Sequence, residues 1–284
     1  MIITDAQVHV WQAHSPERPW PPENRISGGF VAVEGARPHR AEPISAEEMV
    51  AMMQEAGVAR AVIVPPSPVG DSNVYALEAA ASQPGRFVVM GRFDPAAPGA
   101  RAQLAHWLDQ PHMAGIRMTF HKPQWSGWLD DGSIDWFWAD CERLGIPLML
   151  LIPGRLDVVA TIARRHPQLR LIVDHLGLHS NYRDVQCEAD LDALVRLARF
   201  EKVHVKASAV PCYTHESYPF TGFKPHLQRV FEHFGPRRMH WGSDVSRLPC
   251  TYRQAVTHFV EELDFLGDEE LALVMGGGLS EVLG

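Results

Sequence analysis

Polar side chains stand at the ends of several short apolar runs, and the first such pair is in "TDAQVHVW". There Gln7 and His9 lie two positions apart, and side chains two apart on a strand point to the same face. Two histidines in this arrangement would indicate a metal site. Gln7 offers only a neutral amide oxygen, which is a weaker zinc ligand than an imidazole.

The same pattern recurs along the chain. The later polar positions are Arg92, Arg117, Thr119, His121, His175, Lys206, Ser208 and Asp244. A lone histidine on an apolar strand is usually a satisfied core residue, and we interpret His204, His226 and His240 in this way. Ionisable groups gathered at one end of a fold instead need a partner, a ligand or a metal to offset desolvation. Their concentration therefore predicts an active site.

Eight apolar runs, rich in Val, Ile, Met and Phe, predict strands, and several lack the alternation of a half-exposed strand. That is typical of parallel strands buried on both faces. The runs are "IITDAQVHV", "ARAVIVPP", "RFVVMGRF", "MAGIRMTF", "PLMLLIP", "LRLIVDH", "KVHVKAS" and "RMHWGSD".

Amphipathic stretches between the runs predict eight helices. They are "SAEEMVAMMQEAG", "DSNVYALEAAASQ", "PGARAQLAHWLDQ", "DWFWADCERLG", "RLDVVATIARRHP", "EADLDALVRLARF", "KPHLQRVFEHFG" and "TYRQAVTHFVEELDFL". Ser45 and Glu48 form a capping box for the first helix, and Asp71 is expected to cap the second. The glycines expected to end helices are Gly57, Gly145 and Gly235.

Eight strands, each followed by a helix, predict an α/β fold: a single (β/α)8 TIM barrel domain over residues 1–284. A doubly wound open sheet is the competing architecture. Two connections are unusually long, residues 12–44 and 209–222, and in a barrel both lie over the mouth where active sites form. Trp20 and Phe30 in the first connection favour a lid over surface decoration.

Composition indicates an ordinary globular protein, with 46% hydrophobic and 21% charged residues. The formal net charge of −8 argues against nucleic acid or an anionic membrane surface as the main partner. Four scattered cysteines without a C-x-x-C pair indicate reduced thiols, and we find neither a signal peptide nor a membrane-spanning run. We therefore expect a cytoplasmic protein.

The segments "DAQVHVW", "RRHPQLRLIVDHLGL" (Arg164–Leu178), "VHVKASAV" (Val203–Val210) and "FGPRRMHWGSD" (Phe234–Asp244) carry a family resemblance. They resemble the amidohydrolase-related (amidohydrolase 2) family of TIM-barrel hydrolases. The similar branch includes the hydrolases of 2-pyrone-4,6-dicarboxylate and of L-fuconolactone. The resemblance covers nearly the whole chain in order, and "DHLG" together with "WGSD" is its most specific part.

In such families the first strand ends in His-x-His, the sixth carries a histidine and the eighth an aspartate. The resemblance places those roles on Gln7 and His9, His175 and Asp244. The chain departs from the pattern at Gln7, and also in its "GGG" (residues 276–278), where the family has a "GGN"-like ending.

The departure at Gln7 bears on the cofactor. His9, His175 and Asp244 would still suffice for a catalytic metal, since three protein ligands and a water form such a site. The resemblance implies that lactonases of this branch work without a metal: basic groups polarise the carbonyl, and the aspartate activates water. We favour hydrolysis that requires no cofactor, with one divalent metal, Zn or Mn, on these three residues as the alternative.

The expected reaction is the opening of a small carboxylated lactone. Asp244 is the expected general base, and His175 with His9 would hold the carbonyl oxygen, beside the amide of Gln7. Arg117 would anchor a substrate carboxylate through its planar fork. Secondary substrate-binding candidates are Arg92, His121, Lys206 and Tyr218, the last with Phe220 in "SYPFTGF".

Two other functions stay open at this point. The first is a metal-dependent, non-oxidative decarboxylase of an aromatic or muconate-type acid. The second is a non-catalytic binding relic, against which the retention of His9, His175 and Asp244 argues. The absence of G-x-G-x-x-G after a strand, and of a P-loop, argues against nucleotide binding. We expect a small-molecule partner, and the family suggests a homodimer.

Overall fold

Eight parallel strands form one sheet whose order follows the chain from β1 to β8. The computed structural model describes residues 1–20, 42–120 and 123–284. The strands are β1 (Thr4–Val8), β2 (Arg60–Ile63), β3 (Phe87–Gly91), β4 (Met113–Thr119), β5 (Leu148–Leu151), β6 (Leu171–Val173), β7 (Val203–Ser208) and β8 (Met239–Gly242). Each of the eight predicted runs contains one of these strands, so the strand prediction is confirmed.

Helices lie between successive strands and after the last one. In the described ranges they are α1 (Ala46–Ala56), α2 (Val74–Ser82), α3 (Ala100–Ala105), α4 (Pro123–Ser126), α5 (Asp135–Leu144), α6 (Leu156–Arg165), α7 (Glu188–Val195), α8 (Lys224–Phe234), α9 (Tyr252–Glu261), α10 (Asp268–Ala272) and α11 (Gly278–Leu283). All eight predicted helical stretches contain a helix. None of these described helices has both the length and the apolar character needed to cross a membrane.

The sheet curls until β8 lies beside β1. Just beyond the strand ends, the backbone N–H of Asp244 donates to the carbonyl of Gln7 at 3.0 Å. This near closure confirms the (β/α)8 barrel over the open doubly wound sheet. The apolar residues filling the barrel, together with those of α11, are Ala6, Val62, Val64, Met90, Met149, Ile172, Leu279 and Val282.

Of the local signals at the helix ends, the Ser45 cap and the three terminating glycines are confirmed, and the Asp71 cap is not. The Ser45 hydroxyl accepts a hydrogen bond from the N–H of Glu48 and caps α1. The prediction that Asp71 caps α2 is wrong, because Asn73 is the cap residue. The Asp71 carboxylate is directed instead toward Arg92, with 3.8 Å between Oδ1 and Nε. The predicted terminators Gly57, Gly145 and Gly235 all follow the last residue of a helix.

The "GGG" segment is explained by close packing near β1. A Cβ added to Gly276 would lie 2.8 Å from Oγ1 of Thr4, and one added to Gly278 would lie 2.8 Å from the carbonyl oxygen of Arg237. The final segment can therefore approach the barrel only without side chains at these positions.

The predicted lid falls partly outside the described residues, which exclude 21–41 and with them Phe30. Trp20 is buried, and its indole N–H donates to the carbonyl of Gln12 at 3.1 Å. The lid stays a prediction.

Candidate active site

A cavity of about 180 Å³ opens at the carboxyl ends of the strands. Five of the predicted site residues line it, namely Gln7, His9, Arg117, His175 and Asp244. This is the face on which TIM-barrel enzymes build their active sites, because loops from every strand meet there. The structure thus brings together the catalytic residues expected from the sequence.

Asp244 lies between the two histidines. Its Oδ1 is 3.1 Å from Nε2 of His9, and its Oδ2 is 3.7 Å from Nε2 of His175. All three side chains are almost completely buried. A carboxylate removed from water in this way keeps its charge only through such close polar neighbours.

Backbone geometry directs two of these side chains into the cavity. His175 and Asp244 have positive φ angles of 51° each, in the left-handed region that non-glycine residues rarely adopt. Both follow the last residues of their strands, β6 and β8, where the chain turns sharply. Strained backbone of this kind is concentrated at functional sites.

The tautomer of His9 is fixed by its other ring nitrogen. Nδ1 lies 2.7 Å from the carbonyl oxygen of Val64, which can only accept a hydrogen bond. Nδ1 therefore carries the proton, and Nε2 faces Asp244.

Beneath the cavity, Lys206 connects Gln7 to a buried ion pair. The Lys206 ammonium donates to Oε1 of Gln7 at 2.5 Å and lies 2.7 Å from Oδ1 of Asp174. The other oxygen of Asp174 accepts a hydrogen bond from Nε of Arg117 at 3.0 Å. This row of groups connects β1, β4 and β7 through Asp174, the residue that follows β6.

Burial and charge shift the pKa values of these groups in opposite directions. Burial lowers the pKa of His175 to about 3, against the raising effect of Asp244 and Asp174, so this imidazole is neutral at pH 7. Burial also lowers the pKa of Lys206, while Asp174 raises it. Burial by itself raises the pKa of Asp174, but the charges of Lys206 and Arg117 bring it below its ordinary value.

Arg117 is the candidate anchor for a substrate anion. Its Nε is taken by Asp174, and its Nη1 donates to Oγ1 of Thr119 at 2.8 Å. Nη2 makes no hydrogen bond with the described part of the chain, and the residue lines the cavity. One edge of the guanidinium is thus fixed, which orients the rest of the group toward a ligand.

Arg92 lies beside Arg117 but outside the main cavity. Its guanidinium is 5.3 Å from the ring centre of Trp125, and its Nη1 is 3.4 Å from the same Thr119 hydroxyl. Burial, with the nearby charge of Arg117, lowers the pKa of Arg92 to about 10. Arg92 therefore places a second positive charge behind the anchor.

The remaining predicted substrate residues have other positions. Lys206 is fully buried under Gln7 and does not line the cavity. The Tyr218 hydroxyl is 3.3 Å from Oε1 of Glu262, and the ring contacts Phe220 away from the cavity. His121 lies outside the described residues.

Sequence reasoning missed two residues of this site, Arg247 and Asp174. Arg247 lines the cavity, with Nη1 3.8 Å from Oδ2 of Asp244, and it lies over the ring of Tyr213 at 5.6 Å. Asp174 binds both Lys206 and Arg117. The signals were available: Asp174 precedes His175 in "DHLG", and Arg247 follows Asp244 by three residues in the last βα connection.

Asp5 connects β1 to the segment that follows β8, next to the site. Its carboxylate accepts hydrogen bonds from the N–H groups of Gln7 and Ser243, each at 2.9 Å, and from the Tyr252 hydroxyl at 2.6 Å. The hydroxyl of Ser243 is a fourth donor. Burial raises the pKa of Asp5 to about 6, although these hydrogen bonds oppose the shift.

Comparison with known proteins identifies several relatives. The family model described as "Amidohydrolase" matches residues 4–277. The chain is 29% identical over 285 residues to an L-fucono-1,5-lactonase of Burkholderia ambifaria, covering 96% of this chain and 92% of that protein. It is 24% identical over 213 residues to a 4-sulfomuconolactone hydrolase of Rhizobium radiobacter, covering 73% and 68%.

Solved structures share the fold. A crystal structure of an amidohydrolase from Burkholderia multivorans with bound zinc has a TM-score of 0.80 and 20% identity, covering 100% of this chain and 99% of that one.

The described residues do not fit a metal of that kind in their present arrangement. No group of three or more histidine, cysteine, aspartate or glutamate side chains within the described ranges is placed to hold an ion. In addition, the Gln7 amide nitrogen lies 3.4 Å from Nε2 of both His9 and His175. A donor group therefore faces the imidazoles where the family pattern has another ligand.

Proposed function

This chain belongs to the amidohydrolase family and is an enzyme of the hydrolase type, and from that premise we propose that it opens a small carboxylated lactone. Water is added across the C–O ester bond of the ring, and the product is a hydroxy acid. The two curated relatives described above are named for lactone hydrolysis, which supports this reaction.

The observation that carries the proposal is the placement of Asp244. Its carboxylate lies in the cavity with one oxygen on His9 and the other toward His175 and Arg247. A buried carboxylate surrounded by basic groups suits a general base, because the neighbours stabilise its ionised form until it accepts a proton.

In the proposed mechanism, Asp244 accepts a proton from water as the water oxygen attacks the lactone carbonyl carbon. The carbonyl oxygen becomes an oxyanion beside His9 and His175, and the N–H2 group of Gln7 supplies polar hydrogens that stabilise it. The C–O bond of the ring then breaks, and Asp244 returns its proton to the leaving alkoxide. The general base is regenerated, and no step requires a further reactant.

Arg117 supplies the specificity for a carboxylated substrate. Its fixed guanidinium presents an edge to the cavity, and Arg92 adds charge behind it. Because the protein as a whole carries a formal charge of −8, this local positive region supports a role in attracting an acidic ligand.

The test is an Asp244→Asn variant assayed by proton release on L-fucono-1,5-lactone and on a carboxylated muconolactone. We expect kcat to fall about 10²–10⁴-fold, since the amide cannot accept the proton. Asp109→Asn, at an aspartate that is 75% exposed, is the control and should leave kcat unchanged. Unchanged turnover in Asp244→Asn would show that the base is another group. Release of CO₂ from an aromatic acid, lost on chelation, would favour decarboxylation.

Two further expectations stay predictions. All four cysteines, Cys141, Cys187, Cys212 and Cys250, are free thiols, which supports a reducing compartment such as the cytoplasm. The homodimer suggested by the family is tested by light scattering of the purified chain.

A further inference from the structure

We propose that Lys206 is a positioning residue that turns the Gln7 amide so that its N–H2 group faces the two imidazoles, and that this amide keeps a metal cation out of the site. The inference concerns the same site as the proposed function. Its test measures bound metal and not turnover, so the two can fail separately.

The first step is the orientation of the amide. Oxygen and nitrogen of a glutamine are distinguished by their hydrogen-bond partners, and an ammonium group can only donate. Because Lys206 lies 2.5 Å from Oε1 of Gln7, the oxygen must be the atom on the Lys206 side. The N–H2 group then points to the opposite side, into the cavity.

The second step is where that N–H2 group lies. Its nitrogen is 3.4 Å from Nε2 of His9 and 3.4 Å from Nε2 of His175. A metal bound to both imidazoles would lie on the same side of the two rings. The positive end of the amide therefore occupies the approach that a cation would need, and no glutamine oxygen is available as a ligand.

The third step is the rigidity of Lys206. The side chain is fully buried, and Asp174 holds its ammonium at 2.7 Å while Arg117 holds Asp174. A flip of the Gln7 amide would bring an N–H2 group against this buried ammonium. Two donors would then face each other without an acceptor, which costs the desolvation of both groups. The amide is thus fixed in the orientation that opposes metal binding.

Gln7→His tests the proposal directly, because it restores the His-x-His pattern on β1. Gln12→His is the matched control, since it adds a histidine at a half-buried glutamine that does not line this cavity. A double variant, Lys206→Met with Asp174→Asn, releases the Gln7 oxygen and removes both charges of the Lys206–Asp174 pair, and the amide oxygen introduced at position 174 still accepts from Nε of Arg117. It serves as the second route if Gln7→His fails to fold.

Each protein is dialysed against zinc with a competing chelator, and bound metal is counted by plasma mass spectrometry. Absorption spectra with cobalt(II) report the coordination. We expect Gln7→His to bind about one zinc per chain, with an affinity about 100-fold or more above that of the wild type. The double variant should gain about 10-fold or more, and Gln12→His should match the wild type.

Two results would overturn the proposal. The wild type could bind one zinc as tightly as Gln7→His and give the same cobalt spectrum, which would make Gln7 a neighbour that tolerates the metal. Alternatively, folded Gln7→His and the folded double variant could both bind no more zinc than the wild type, which would show that the amide is not what opposes the ion.

Discussion

At the scale of single residues, Arg117 offers the sharpest test of substrate class. Arg117→Lys keeps the positive charge near Asp174 but removes the planar fork. We expect KM for a carboxylated lactone to rise about 10-fold or more, since charge-assisted hydrogen bonds to a carboxylate are lost. Steady-state kinetics on the lactone and on its methyl ester measure the effect. The ester should show little change, and an equal loss on both would contradict a role in binding the carboxylate.

The residues of the site could be predicted as far as strand periodicity and the family resemblance reached. His9, His175 and Asp244 follow strand ends, and the structure places both imidazoles within 3.7 Å of the Asp244 carboxylate. The role of Lys206 could not be predicted. A lysine on a strand gives no sign of whether it reaches a ligand or lies beneath another side chain, because that depends on the layer of the barrel it occupies.

At the scale of secondary structure elements, β7 and β8 carry a histidine pair below the site, in which His204 is half-buried and His240 is fully buried. Nδ1 of His204 is 3.1 Å from Nε2 of His240, and the rings stack at 5.2 Å. Burial, with the charges of Arg238, Lys202 and Arg170, lowers the pKa of His204 to about 4. Burial, with the neighbouring His204 and Lys206, lowers the pKa of His240 well below its ordinary value. The two strands are therefore joined by neutral imidazoles.

This pair predicts a pH-dependent stability. Between pH 6.5 and about 4 the unfolded state binds a proton at His204 that the folded state does not, so stability is complete above this range and falls as the pH falls through it. For His204 alone the loss from about pH 7 to pH 5 is up to about 2 kcal/mol. Urea unfolding of the wild type and of His204→Gln measures it.

The two curves must be compared as a difference, because Asp5 acts in the opposite sense. Its pKa is raised to about 6, so ionisation of Asp5 costs stability as the pH rises from 3.8 toward 6. The expected result is a smaller pH slope in His204→Gln than in the wild type. Equal slopes would show that His204 titrates alike in both states.

Element boundaries show where sequence reasoning ends. The predicted stretch "EADLDALVRLARF" is a helix only over Glu188–Val195 and continues as a tighter turn over Arg196–Arg199. Asp71 failed as a cap because the nearby Arg92 attracts its carboxylate, a contact between distant segments that the local sequence does not contain. Periodicity identifies the element, while tertiary contacts decide its ends.

At the scale of the whole molecule, the barrel depends on how its first and last strands meet. Asp5 on β1 binds the backbone of Gln7 and of Ser243, so one carboxylate joins both ends of the sheet next to two site residues. The end of the chain packs on the same strand, where Gly276 approaches Thr4. Residues far apart in sequence are thus stabilised together, as expected of a nearly closed barrel.

Asp5→Ala tests this dependence. The change leaves the N–H groups of Gln7 and Ser243 and the Tyr252 hydroxyl without their buried acceptor. We expect the free energy of unfolding to fall by about 3–5 kcal/mol, as when one partner of a buried polar network is removed. Glu261→Ala, at an exposed carboxylate of α9, is the control and should change the free energy of unfolding by less than about 0.5 kcal/mol.

Urea unfolding is followed by tryptophan fluorescence and by far-UV circular dichroism. Coincident curves that shift together would indicate that the junction of β1 and β8 at Asp5 stabilises the whole barrel, because both signals then report one transition. If only the fluorescence shifted, the hydrogen bonds of Asp5 would stabilise only their surroundings, and the barrel would not depend on Asp5 for its closure.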